Sequence, residues 1–296
     1  MKRSTRFYLI FAAVLLVLGL VLGAVGCVLG AVDDIRSETN ADTQQTSFSR
    51  SPDSIQEIQL ELSSDDIIIL PSKDSDLHIS YPSDENYTYD TEADTVTGQN
   101  TLVFYQLPDE GSFLSHFSFN FTKNTGTITL ELPEGYIGNI ICAVTSGHIS
   151  AEGVSLGQIQ ISTSSGDITL TDCTVSSALT CETTSGELEL ENLQLHGATV
   201  LETVSGELEL EDCVLSDSLS LSSTSGDIQL KSTTVSGDLT ADSISGDISL
   251  LLSGSPKHRF EELSTISGDI STSGGDPNGD RSISASTTSG DIYIED

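Results

Sequence analysis

Basic residues are scarce in this 296-residue chain: eleven Lys and Arg stand against forty-five Asp and Glu, giving a net charge of −34. Nucleic-acid phosphates and anionic bilayers repel such a chain, so neither is expected as an electrostatic partner. Tryptophan is absent, and beyond Tyr136 the only aromatic residues are Phe260 and Tyr293. The second half therefore lacks the ring platforms on which sugars stack. The five cysteines show no paired zinc spacing, and the five histidines are scattered. No metal site and no Ser, Cys or His triad follows from these spacings. Polysaccharide-active β-helices need a distinctive carboxylate pair, or acids beside cations that hold an anionic sugar. From Gly147 onward the only cations are Lys231, Lys257, Arg259 and Arg281, the last three in irregular stretches. The expectation is a protein that is not an enzyme, with no catalytic residues.

What the chain has is one phrase, Ser-Gly-Asp-Ile-x-Leu, repeated. Its glycine falls at Gly147, Gly166, Gly186, Gly206, Gly226, Gly246, Gly268 and Gly290, at intervals of 19, 20, 20, 20, 20, 22 and 22 residues. So regular a period is the mark of stacked repeats. With each glycine as zero, position plus two reads Ile149, Ile168, Leu188, Leu208, Ile228, Ile248, Ile270 and Ile292. Plus four reads Ala151, Leu170, Leu190, Leu210, Leu230, Leu250, Thr272 and Ile294. On the approach side, minus seven runs from Ile140 through Leu179 to Glu261 and Ile283, and minus five from Cys142 through Leu201 to Leu263 and Ala285. A third pair, as in Leu193 and Leu195, follows at plus seven and plus nine. Pairs two apart mean strands with one buried face. Three short strands per repeat make one coil of an all-β parallel β-solenoid. The corner glycine is expected to supply φ > 0, and the serine before it to hydrogen-bond the corner backbone.

The start of the chain reads differently. Residues 1–6 form a basic tail, and 7–32 an uncharged run of 26 residues that spans ~39 Å as a helix, enough to cross a membrane. Basic residues before the run and Asp33-Asp34 after it place the N-terminus in the cytoplasm and the bulk of the chain outside the cell, as a single-pass membrane protein. The competing reading is a lipoprotein box, Ala24-Val25-Gly26-Cys27, with Cys27 as the lipidated residue. Residues 33–53 are expected to be a flexible tether, 54–137 a β cap with degenerate first coils and an insertion, and 138–296 the regular solenoid. In the cap, Ser64-Asp65-Asp66-Ile67 has the repeat's shape with Asp65 in the glycine place. Candidate strands follow at Leu77 to Tyr81, Asp94 to Thr97 and Thr101 to Gln106, the last two joined by a Gly98-Gln99-Asn100 turn. The array resumes at Gly126, with Phe119 and Phe121 in its approach columns.

An N-terminal anchor, the Ser-Asp-Asp-Ile strand at Ile67, the segment Ile128-Thr129-Leu130-Glu131-Leu132-Pro133 and the serial Ser-Gly-Asp-Ile coils together resemble the bacterial "putative adhesin" family of unknown function, which includes the Lia-operon G-type envelope proteins of Gram-positive bacteria. The resemblance covers residues 54–296. It implies a parallel β-solenoid exposed at the cell surface, with an adhesion, structural or protein-interaction role toward an envelope protein or surface ligand. An accessory part in envelope-stress signalling is a second reading that it allows.

Two regions remain as candidate sites. Glu182, Glu187, Glu189 and Glu191 lie one coil from Glu202, Glu207, Glu209 and Glu211, alternating with buried leucines. Carboxylates stacked ~5 Å apart repel, and Ca²⁺ would relieve them, although a solvated, soluble face explains them more simply. Tyr81, Tyr87, Tyr89, Phe104 and Tyr105 mark an aromatic insertion, read either as a ligand site or as a cap packed on the first coil. The cysteine pairs Cys142/Cys181 and Cys173/Cys213 sit two coils apart, ~9.6 Å and beyond disulfide reach, so buried thiols are expected, with Cys173 to Cys181 the one pairing left open. The last coil ends at Glu295 and Asp296, which are expected to guard an open strand edge suited to end-to-end self-association.

Overall fold

Apolar residues two apart fall on one side of an extended chain, and each repeat accordingly folds as short strands around a shared interior. The computed structural model describes residues 45–52, 55–83, 88–94, 101–107, 126–254 and 257–296. The coil around Gly186 runs through Leu179–Ser185, Leu188–Glu191 and Gln194–Leu195. Its inward residues Leu179, Cys181, Leu188, Leu190, Leu193 and Leu195 are buried. In-register parallel pairing sets Leu190 between Leu170 and Leu210, and Leu188 between Ile168 and Leu208. The product is the expected all-β parallel β-solenoid, whose core is a set of aliphatic columns. Each fully buried Leu or Ile contributes ~1.5–3 kcal/mol.

At both ends the coils stack in an order that differs from their order in the chain. Glu57–Leu62 and Asp66–Pro71, the first coil in sequence, lie between Asn139–Ser146 and Ile149–Glu152 on one side and Thr101–Leu107 and Thr127–Leu132 on the other. Ser282–Ser289 and Ile292–Glu295, the last coil in sequence, lie between Leu239–Ser245 and Ile248–Leu252 on one side and Arg259–Ser267 and Ile270–Ser273 on the other. Along the rod the corner positions therefore run Gly126, Asp65, Gly147, Gly166, Gly186, Gly206, Gly226, Gly246, Gly290, Gly268. A chain end frays readily when it forms an outermost strand. Here the outermost coils, at Gly126 and Gly268, are interior segments of the chain.

This arrangement corrects four expectations. Ile292–Glu295 is paired on both sides, so Glu295 and Asp296 guard no open edge; the open strands belong to the Gly268 coil. A β-bulge between Phe260 and Glu262 absorbs part of the longer interval and puts Phe260, not Glu261, opposite Ile283. The approach strand of the Gly126 coil is Thr101–Leu107, with Leu102 and Phe104 against Ile58 and Leu60. Those two fill the columns assigned to Phe119 and Phe121, which lie outside the described residues. The hairpin partner of Thr101–Leu107 is Thr88–Asp94, ahead of the expected strand, of which residues 95–97 lie outside the described residues.

Antiparallel strands cover the N-terminal end of the rod. Leu77–Pro82 lies on Thr127–Leu132, Gln45–Arg50 lies on Leu77–Pro82, and Thr88–Asp94 lies on Thr101–Leu107. Gln45–Arg50, within the stretch expected to be a tether, is thus a strand. Among the described residues no helix is long and apolar enough to cross a membrane; the expected anchor at 7–32 and Cys27 lie outside them.

At the other end a buried polar contact pins the inserted last coil. The His258 backbone N–H donates to Asp296 Oδ2 at 2.7 Å, while its ring Nδ1 lies 3.0 Å from Asp296 Oδ1 and Nε2 lies 3.2 Å from the Gly237 carbonyl oxygen. Cys142, Cys173, Cys181 and Cys213 are buried and free. Ile161 stands between Cys142 and Cys181 in their column. Burial pushes the Cys142 thiol up to about 12 and the Cys213 thiol up to about 11, away from reactive thiolate.

The coil order is testable by cross-linking the exposed minus-one serines, because Ser245 pairs with Ser289, and Ser289 with Ser267. Oxidation should close a disulfide in Ser245→Cys/Ser289→Cys and leave Ser245→Cys/Ser267→Cys open, two coils being ~9.6 Å apart. Mass mapping that finds the reverse would restore sequential stacking.

Candidate functional site

The conserved geometry of every coil sits at its corner, and close packing rather than backbone sign explains the glycine. A Cβ built on Gly206 would lie 1.8 Å from the Gly186 carbonyl oxygen, one on Gly226 1.9 Å from that of Gly206, and one on Gly268 2.0 Å from that of Gly290. Gly147, Gly186, Gly226, Gly246 and Gly268 have no positive φ, so the expected φ > 0 is not what the eight share. The left-handed corner falls instead at plus six, on Gly153 (φ 66°), Asp172 (55°), Asn192 (54°), Asp212 (52°) and Ser232 (50°). Asn and Asp tolerate this conformation better than other residues with a Cβ. Their recurrence six residues after the glycine was the available sequence signal.

Hydroxyl bonding at the corner also differs from expectation. The serine before each glycine is exposed, while in several coils the inward residue at minus three reaches the corner: Thr183 Oγ1 donates to the Gly166 carbonyl at 3.2 Å, Thr287 Oγ1 to that of Gly246 at 3.2 Å and Thr265 Oγ1 to that of Gly290 at 3.0 Å, whereas Thr163 and Ser223 at the same position have no partner.

Position plus one carries the acidic ladder, and its aspartates have a defined partner. Asp167 Oδ1 accepts the Glu187 N–H at 2.9 Å, Asp227 Oδ1 the Asp247 N–H at 2.8 Å, Asp247 Oδ1 the Asp291 N–H at 2.8 Å, and Asp291 Oδ1 the Asp269 N–H at 2.8 Å. Asp66 does the same for His148 at 2.8 Å. Each carboxylate thus caps a corner amide of the next coil. Glu187 and Glu207 make no such bond, their side chains being one methylene longer. Burial, followed by the charges of Glu209, Asp227 and Glu187, holds the Glu207 carboxyl above the usual range.

The eight glutamates singled out from the sequence do not converge. Glu182 pairs with Glu202 on one strand face, Glu189 with Glu209 and Glu191 with Glu211 on another, and Glu187 and Glu207 stand at the corner between. The second row ends where Lys231 Nζ bonds Glu209 and Gln229 Nε2 bonds Glu207. Among the described residues no group of three or more His, Cys, Asp or Glu is placed to hold a metal ion. Glu182 and Glu202, with Thr184, Val204 and Thr224, line a shallow groove of ≈ 320 Å³.

In the aromatic insertion, Phe104 is fully buried in a core column, and the half-buried Tyr81 ring packs against it at 5.2 Å with a 57° tilt. Tyr105 is half-buried between Glu61 and Asp90 in the strand register. Tyr89 lies in Thr88–Asp94, and Tyr87 lies outside the described residues. A cavity that sequence reasoning missed, ≈ 530 Å³ in volume, opens nearby between Pro52, Ile55, Gln56, Tyr136 and Ile137. The Tyr136 hydroxyl is buried without a partner, and burial pushes its ionisation well above the usual phenol range.

The model of the Toastrack DUF4097 family matches residues 55–295. No curated protein matches the chain. Similar solved structures include a putative adhesin from Bacteroides fragilis, 13% identical with a TM-score of 0.44 over 85% of this chain and 96% of that one. A putative cell adhesion protein from Clostridium sporogenes is 10% identical with a TM-score of 0.38 over 86% and 99%. A putative lipid binding protein from Parabacteroides distasonis is 18% identical with a TM-score of 0.41 over 86% and 97%.

The corner amide caps make a prediction for denaturation curves. Asp227→Ala removes the acceptor for the Asp247 N–H and should cost about 1–2 kcal/mol, whereas Glu187→Asp, which brings a carboxylate within reach of the Glu207 N–H, should be neutral or stabilising. If Asp227→Ala proves neutral or stabilising, the aspartates contribute only repulsion and the caps do not hold the coils.

Proposed function

The chain belongs to the Toastrack DUF4097 family, and from that premise we propose that it is a membrane-anchored envelope protein whose solenoid stands outside the cell and works by contact, not catalysis. The observation that carries this reading is the order of the sequence, in which a basic tail and an uncharged run at 7–32 precede the acidic β-solenoid. Outward side chains of the stacked coils give that solenoid long acidic faces. With a net charge of −34, those faces are repelled by anionic lipid, which keeps the rod standing off the surface.

Thiol labelling in protoplasts tests the arrangement, because the four described native cysteines are buried and a cysteine placed at exposed Thr224 is not. A membrane-impermeant maleimide should label Thr224→Cys in intact protoplasts and label Ser4→Cys only after permeabilisation. Labelling of Ser4→Cys from outside, or recovery of the chain in the soluble fraction, would overturn it.

A further inference from the structure

We propose that the contact between His258 and Asp296 is a protonation latch: it joins the last three coils of the rod and releases the outermost one when the His258 ring loses its second proton. The His258 side chain is 1% exposed and that of Asp296 3%. Ring Nδ1 lies 3.0 Å from Asp296 Oδ1, and Nε2 lies 3.2 Å from the Gly237 carbonyl oxygen. Both partners are acceptors. A neutral imidazole carries one N–H and would turn a lone pair toward one of them, whereas an imidazolium donates to both. Asp296 meets that charge, and its second oxygen accepts the His258 backbone N–H at 2.7 Å. A buried charge is tolerated when it is paired and hydrogen-bonded in this way.

The place of the ring in the stack decides what its proton controls. Gly237 leads into Leu239–Ser245, Asp296 follows Ile292–Glu295, and His258 leads into Arg259–Ser267. One side chain therefore ties together the coils of Gly246, Gly290 and Gly268, which are consecutive along the rod. Among the described residues the Gly268 coil is paired on one side only, so it depends most on that tie. The other charged groups on the surrounding elements are engaged elsewhere. Arg259 donates to the Gly279 carbonyl at 2.8 Å and pairs with Glu261, and Arg281 Nε donates to the Ser236 carbonyl at 3.0 Å. Asp276 accepts the Asn278 N–H at 2.9 Å, and Asp238 accepts the Ser282 N–H at 2.8 Å. The Asp238 carboxyl, held below its usual range chiefly by that N–H, is a second anion felt by the ring. Lys257 and Asp280 complete the set. Only the charged ring makes both of its bonds, so the latch is closed at low pH and opens as the pH rises through the range in which imidazoles titrate.

Imidazole nitrogen NMR of the full chain in detergent micelles, from about pH 5 to about pH 8, reads the ring, and hydrogen exchange on the same samples reads the coil. At the acidic end both His258 ring nitrogens should carry protons. As the ring becomes neutral, the paired amides of Arg259–Ser267 and Ile270–Ser273 should exchange about tenfold faster or more, after correction for the intrinsic pH dependence of exchange. Amides of Leu188–Glu191, in the middle of the rod, should keep their protection. In His258→Gln, whose side chain is uncharged at every pH, the step should be absent. A ring that keeps one protonation state throughout the range, or a step of equal size in His258→Gln, would overturn the proposal. So would wild-type exchange that does not follow the titration of the ring, an outcome that can be read whether or not His258→Gln folds.

Discussion

One backbone contact sets the geometry on which the rest depends: from Gly147 onward the corner glycine of each coil lies so close over a corner carbonyl of the neighbouring coil that no Cβ fits between. This approach fixes coil spacing at the distance of a strand ladder. Spacing in turn keeps the strands on either side of the corner in register, and register brings Ile over Ile and Leu over Leu. Hydrophobic burial supplies the free energy, but it is non-directional and would tolerate slippage along so uniform a column. The glycine removes that freedom once per coil.

The polar groups of the corner serve the same stack. Aspartate at plus one caps an amide of the next coil, threonine at minus three donates in several coils to a corner carbonyl, and the left-handed bend at plus six takes Gly, Asp, Asn or Ser. A motif that reads as a cation ladder is thus, for its aspartates, a set of intercoil hydrogen bonds. Glutamates at Glu187 and Glu207 interrupt it; there Gln229 donates a hydrogen bond to Glu207, and the Lys231 ammonium pairs with neighbouring Glu209.

The columns were legible in the sequence because burial with period two is written in side chains and repeated until chance is excluded. The stacking order at the ends was not, because every coil carries the same phrase and strand neighbours are chosen by pairing in three dimensions. A trace of it existed. The Gly290 coil has the full interior set Ile283, Ala285, Ile292 and Ile294, whereas the Gly268 coil offers Thr272 and a bulged Phe260-Glu261, the marks of a coil covered on one side only. The role of the glycine was misread for a similar reason: sequence reports that a Cβ is forbidden, and only the neighbouring coil shows what it would strike. Of the candidate residues, the glutamates of the repeat lie on outward faces. Phe104, in an irregular segment, proved to be core.

The most direct test of this account is the stability of Gly206→Ala compared with Thr224→Ala, an exposed change on a neighbouring coil, by chemical denaturation with hydrogen exchange on the same samples. The account predicts a loss of about 3 kcal/mol or more for the glycine variant, with faster exchange of amides in the coils of Gly186, Gly206 and Gly226, and little change for Thr224→Ala. A Gly206→Ala protein as stable as the wild type, with its exchange pattern intact, would show that the corner contact does not set the stack.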